Sequence, residues 1–171
     1  MRKFFCLLVL LFLFLSGCTK TPEQIIADKT ELFGQFEDEF GRFYPDLKEQ
    51  HEGSDLQLDL IESIKLFEKL IEKNPDNYDL KVICGMLNSY AHNLDIADSF
   101  ERGEEVLKKA ISMDSYRWEA YFQLGNLYVH SPATIRQGLD ILFKALKKGE
   151  DKINPKVYLY ISEGLFFNAL N

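Results

Sequence analysis

Between Tyr116 and Lys148 the apolar positions fall three and four apart in two successive runs, the spacing of one helix face. Tyr121, Leu124, Gly125 and Tyr128 share a face of the first run; Gly138, Leu142 and Ala145 share a face of the second. The same pattern stands 34 residues earlier as Leu87, Tyr90, Ala91 and Leu94, and 35 residues earlier as Gly103, Leu107 and Ala110. A period in the thirties, with small residues where helices must approach, predicts an all-α chain of stacked antiparallel helical hairpins. A generic helical bundle is the alternative architecture.

The rest of the chain extends the pattern. Thr21-Pro22-Glu23 has the chemistry of a helix start: a capping hydroxyl, a proline in the first turn, and an acid near the positive end of the dipole. Ile25, Ile26, Leu32, Phe33, Phe36, Phe40 and Phe43 then make the stripe of one long helix ending near Tyr44-Pro45. A polar loop from Pro45 to Ser54 holds His51, for which the sequence suggests no role. Ser54 or Asp55 caps the next helix, which turns Leu60, Ile61, Ile64, Phe67, Leu70 and Ile71 inward and stops at Asn74-Pro75. Asp76-Asn77 opens a helix carrying Leu80, Ile83, Leu87, Tyr90, Ala91 and Leu94. Its partner spans about Ser99 to Met113, with Gly103, Val106, Leu107, Ala110 and Ile111 inward. Ser131-Pro132 separates the two helices of the third hairpin. After a loop from Lys148 to Asn154, a last helix starts at Asn154-Pro155 and carries Val157, Tyr158, Ile161, Leu165, Phe166 and Leu170. The expectation is about seven helices, or three hairpins and a final helix. That final helix is apolar almost all round, which invites a partner, self-association, or folding back on the array.

The start of the chain belongs to a different class of segment. Arg2 and Lys3 precede a charge-free apolar run from Phe4 to Leu15, too short to span about 30 Å of hydrocarbon comfortably. Leu15-Ser16-Gly17-Cys18 follows at once. This order resembles the signal peptide and lipobox of bacterial lipoproteins. The resemblance implies a signal peptide over residues 1–17, cleavage before Cys18, and acylation of Cys18 by a diacylglycerol and an amide-linked chain such as palmitate. Residues 18–22 would then be a lipidated tether and 23–171 the helical domain. Each buried methylene contributes about 0.8 kcal/mol, so two or three chains hold stably where one exchanges. Thr19, rather than an aspartate, follows the cysteine; in a two-membrane bacterium this resembles the pattern sorted to the periplasmic face of the outer membrane.

Composition agrees with that reading. Cys6 leaves with the signal peptide and Cys18 is taken by lipid, so Cys84 alone remains of three cysteines, and it sits on an apolar helical surface as a small hydrophobe. Residues 1–17 hold two of the 20 basic residues and none of the 27 acidic ones, so their loss takes the formal charge from −7 to −9. Such an acidic chain is not expected to bind nucleic acid, or to lie on anionic headgroups by charge alone.

The hairpin pattern itself resembles the tetratricopeptide repeat, most closely from Ile61 to Ala145. Ser63, Phe67, Leu70 and Pro75 fall at that family's second-helix spacings, Tyr121 stands at its tryptophan site, and Ser115 replaces its closing proline in the second hairpin. The resemblance implies a right-handed superhelix that acts as a non-catalytic protein-interaction scaffold at the cell envelope, binding protein or peptide partners in a concave groove lined by first helices. Carried over residue by residue, the groove positions are Asn88 and His92 in the second hairpin and Phe122, Asn126 and His130 in the third. The lysines of the family's carboxylate clamp are not at the matching positions. The alternative is a periplasmic small-ligand-binding lipoprotein of the type found beside TRAP transporters, with Phe36, Phe122 and Tyr128 around an apolar pore.

Catalysis and cofactors find no support in the motifs. There is no glycine-rich phosphate loop, no HExxH and no close cysteine pair. His92 and Asp95, with His130, make the one set that could in principle hold a metal, provided the three side chains converge. The runs Glu37-Asp38-Glu39 and Glu104-Glu105 lie opposite apolar stripes and read as solvated faces.

Overall fold

In a computed structural model, residues 20–41, 47–149 and 156–170 are described. The signal sequence, Cys18, and the helix limits expected at Tyr44-Pro45 and Asn154-Pro155 lie outside them. The described residues are all-helical, without strands. Nine helices are present among them: α1 (Pro22–Asp28), α2 (Thr30–Phe40), α3 (Leu47–His51), α4 (Asp55–Lys73), α5 (Tyr78–Asn93), α6 (Ser99–Met113), α7 (Glu119–Val129), α8 (Ile135–Gly149) and α9 (Lys156–Leu170). The chain divides into two compact units after Leu32, inside α2.

The first unit ends in α1 and the first turn of α2. Thr21 and Gln24 form a reciprocal capping box at the start of α1. The expected long helix is interrupted at Lys29, which corrects the count of seven by one. Thr30 donates its hydroxyl to the Ile26 carbonyl, a bond that competes with the backbone ladder and bends helices. The short α3, in the segment read as loop, supplies the other extra helix.

In the second unit the helix starts are local and follow the sequence. Ser54 accepts from the Gln57 N–H at 3.1 Å, and Asn77 accepts from the Leu80 N–H at 3.0 Å. From α4 onward each helix packs on the next, and α5 also packs on α7, and α7 on α9. Glycines set the closest approaches. A Cβ at Gly85 would lie 2.3 Å from Leu107 Cγ, and one at Gly125 would lie 2.7 Å from Leu142 Cγ. Gly85 and Gly125 therefore play the same part in successive hairpins. The expected counterpart of Gly125 was Ala91, so the first helices recur at 40 residues while the second helices recur at 35. The five-residue difference matches the lengths of α5 and α7, 16 and 11 residues.

The turn from α6 to α7 lacks a local cap, because Trp118 contributes no side-chain bond. Tyr78, at the start of α5, takes over: its hydroxyl accepts from the Ala120 N–H at 3.1 Å. Arg117 stacks over the Tyr78 ring at 3.9 Å and pairs with Asp79 at 2.7 Å and Glu119 at 3.2 Å, latching the two hairpins together. Tyr78→Phe leaves this orphan helix donor unpaired and should lower stability by about 1 kcal/mol, read as a lower urea midpoint at unchanged m-value.

The last helix buries a face that shares Val157 and Ile161 with the one expected but is rotated from it. Val157, Tyr160, Ile161 and Gly164 are inside, whereas Tyr158, Leu165 and Phe166 are exposed. Gly164 makes this possible, since a Cβ there would lie 2.9 Å from Val129 Cγ1. Where a helix is apolar on every side, its pattern does not choose the face; contact with α7 and α8 does.

Candidate functional site

Three of the five expected groove residues come together. Phe122 and Asn126 stand one turn apart on α7, His130 follows as its C-cap, and the Tyr160 ring of α9 lies near both Phe122 and His130. The Tyr160 ring is 5.6 Å from that of Phe122 and 5.9 Å from that of His130. With Gly85 equivalent to Gly125, the matching residues of α5 are Val82, Met86 and Tyr90. Tyr90 belongs to this face: it is 3% exposed, and burial, with the nearby Glu37, Tyr160 and Asp38, pushes its phenol well above the usual range.

Asn88 and His92 stand elsewhere. Asn88 points toward α6, its Cβ 3.2 Å from where a Cβ on Gly103 would lie, and its amide donates to the Cys84 carbonyl at 2.9 Å. His92 sets its ring 5.2 Å from Phe100, which stacks on Tyr128. The rotation of α5 implied by the Gly85 contact accounts for both placements.

The face is closed rather than open. Phe122, Asn126 and His130 are all buried. The end of α2 reaches it from two sides: Asn93 donates to the Phe40 carbonyl at 2.8 Å, and the Tyr160 hydroxyl donates to the Gly41 carbonyl at 3.1 Å. Phe40 also meets the His51 ring edge-on at 4.9 Å, so the histidine left without a role packs on this plug. Asn93 and Tyr160 were missed by sequence reasoning, because the carbonyls they bond lie 53 and 119 residues away; Tyr90 was read as an apolar-face residue but not as part of this group. Asn126 Oδ1, Asn93 Oδ1, Ser89 Oγ and His130 Nδ1 are buried without a hydrogen-bond partner, while His130 Nε2 lies 4.0 Å from Glu163 Oε2. Each such atom costs about 1–3 kcal/mol, so this layer is held by the apolar contacts around it.

Chemistry at the other polar groups is limited. Burial pushes the Cys84 thiol up to about 12, with the Glu68 charge acting in the same direction, so it stays protonated and unreactive at neutral pH. Among the described residues no three His, Cys, Asp or Glu side chains are placed to hold a metal ion, and the expected set of His92, Asp95 and His130 does not converge. Phe36, Phe122 and Tyr128 pack on the rings of Phe40, Tyr160 and Phe100.

His92 is held below its usual pKa of 6.5, first by burial and then by the charge of His130, against the pull of Asp95 and Glu101. The unfolded chain therefore takes up this proton more readily than the folded one. Stability should be complete above about pH 6.5 and fall as the pH drops below it. Urea midpoints compared at about pH 7.5 and pH 5 should show the loss, and His92→Gln should reduce it.

Beyond this geometry, no protein-family model matches the chain, and no curated protein matches it significantly. Among the described residues no helix is long and apolar enough to cross a membrane.

Proposed function

We propose that this chain is a bacterial lipoprotein whose helical-hairpin domain, of tetratricopeptide type, serves as a non-catalytic interaction scaffold at the cell envelope. The observation that carries the scaffold reading is the recurrence of one contact, Gly85 on Leu107 and Gly125 on Leu142, in successive hairpins that also pack first helix on first helix. The anchor reading rests on Leu15-Ser16-Gly17-Cys18 behind a charged start and an apolar run. Acyl chains on Cys18 confine the domain to a surface, and membrane partners then meet it at raised effective concentration. Phe122, Asn126, His130 and Tyr90 form the partner-reading face. It is covered at rest by the end of α2, so a partner that uses it displaces Phe40 and Gly41.

Growth with an alkyne-tagged palmitate, followed by fractionation, tests the anchor: the wild-type chain carries the label in the membrane fraction and Cys18→Ser loses both. Label retained in Cys18→Ser, or absent from the wild type, removes this half of the proposal. Crosslinking in native membranes tests the scaffold. A discrete complex with envelope proteins supports it, and a chain that crosslinks to no protein opposes it.

A further inference from the structure

Helix α9 stands to α8 as α7 stands to α6. Leu127 of α7 lies 3.1 Å from where a Cβ on Gly103 of α6 would be, and a Cβ on Gly164 of α9 would lie 3.0 Å from Leu139 of α8. Leu139 adjoins Gly138, the counterpart of Gly103, so α9 repeats α7 at an interval of 37 positions. Ala120, Leu124 and Leu127, which pack on α6, then correspond to Val157, Ile161 and Gly164, which pack on α8 and are likewise buried.

The face that α7 gives to its own second helix carries Tyr121, Gly125 and Tyr128. A Cβ on Gly125 would lie 2.7 Å from Leu142 Cγ, and one on Gly138 would lie 2.9 Å from Tyr128 Cβ. Tyr121 packs on the cluster that holds Leu142 and Ala145. The matching residues of α9 are Tyr158, Ser162 and Leu165, and all three are exposed, Tyr158 by 63% and Leu165 by 50%. Helices α7 and α8 meet α9 elsewhere, at Tyr160, Gly164 and Asn168. Helix α9 thus offers the packing face of a first helix, with the small Ser162 where a second helix would approach most closely.

The composition of this face points to what fills it. Tyr158, Ser162, Leu165, Phe166 and Ala169 carry no charge, so two chains of net charge −7 can meet here without apposing like charges. Glu163 is turned away, its Oε2 4.0 Å from His130 Nε2. Ser162 is next to the middle residue of the 15-residue helix, with Tyr158 one turn before it and Phe166 one turn after. A two-fold axis at Ser162 sets Tyr158 of each copy against Phe166 of the other, so the face is its own complement. We infer that two copies of this chain pair through α9, antiparallel about Ser162, each helix lying on the other as α8 lies on α7. A helix of this length is about 22 Å long, and two such faces bury on the order of 1,000 Å² in total, the lower limit for a specific interface. The pair therefore forms and dissociates with concentration.

Cysteine crosslinking of the full chain in detergent, with copper phenanthroline as oxidant, tests the pairing. Cys84 is buried and stays protonated, and the wild-type chain sets the background. Ser162→Cys, at the axis, should give a product of twice the chain's mass, in about tenfold greater yield than Ser112→Cys on the exposed side of α6. Adding Leu165→Glu buries a carboxylate in the pair and should cut that yield about tenfold. Tyr158→Glu takes its place if circular dichroism shows that Leu165→Glu does not fold. A yield from Ser162→Cys no higher than that from Ser112→Cys, or one that the added charge leaves unchanged, overturns the inference. So does a product joined to a different protein, which would give this face to another partner.

Discussion

Gly138→Ala should destabilise the protein by about 1–2 kcal/mol, although alanine is the better helix former by about 1 kcal/mol. The new Cβ would lie 2.7 Å from Val129 N and 2.9 Å from Tyr128 Cβ, atoms of the α7 backbone and of a side-chain stem that cannot swing aside. Relief requires α7 and α8 to separate, and the separation loosens Gly125 against Leu142 at the same interface. Gly34→Ala supplies the opposite sign. It also lies in a helix but has nothing within 4 Å of its Cβ position, so the substitution should raise stability by about 0.5–1 kcal/mol. Urea midpoints of the two variants, shifted in opposite directions, are the check. A Gly138→Ala protein as stable as Gly34→Ala would mean that the two helices are not in close contact.

The largest single effect is expected at the end of α2. Phe40 is fully buried, stacked on Phe36 at 6.1 Å, and its carbonyl takes the bond from Asn93. Phe40→Ala should cost about 3–5 kcal/mol, the range for deleting a buried phenylalanine. That is a large part of the 5–15 kcal/mol typical of a whole domain, so the variant should melt many degrees lower. Phe143→Ala is the control: its ring is 50% exposed, and the change should stay within about 0.5 kcal/mol. Equal melting temperatures for the two variants would place the end of α2 outside the core. The proposed cover of the partner-reading face would fall with it.

Much of the helix grammar was legible because it is local. Thr21, Ser54 and Asn77 cap their helices with the bonds their side chains suggest, and Asn74 closes α4. The inward residues of α4, Leu60, Ile64 and Phe67, are buried as their spacing indicates. The misreadings share a cause. Helix α5 offers two small residues, Gly85 and Ala91, that are six positions apart, and both fit a motif of small and apolar residues at helical spacing. Taking Ala91 as the counterpart of Gly125 aligned Asn88 and His92 with Asn126 and His130, whereas the matching contacts of Gly85 on Leu107 and Gly125 on Leu142 align Met86 and Tyr90 with them. Helix α9 offers apolar residues on all sides, and the stripe read from it included Tyr158, which is 63% exposed, and omitted Tyr160, which is 4% exposed.

By itself, then, the order of residues determined most of the helices and most of their starts, since these depend on neighbours within about four positions. It singled out Gly103, Gly125 and Gly138, but not the close contacts at Gly85 and Gly164. How each helix is rotated about its axis was decided only by the packed structure. So were the burial of Asn126 and His130 and the reach of Tyr160 to the carbonyl of Gly41. These depend on atoms brought together across as many as 119 positions, where a pattern of local spacing carries no information about which face meets which.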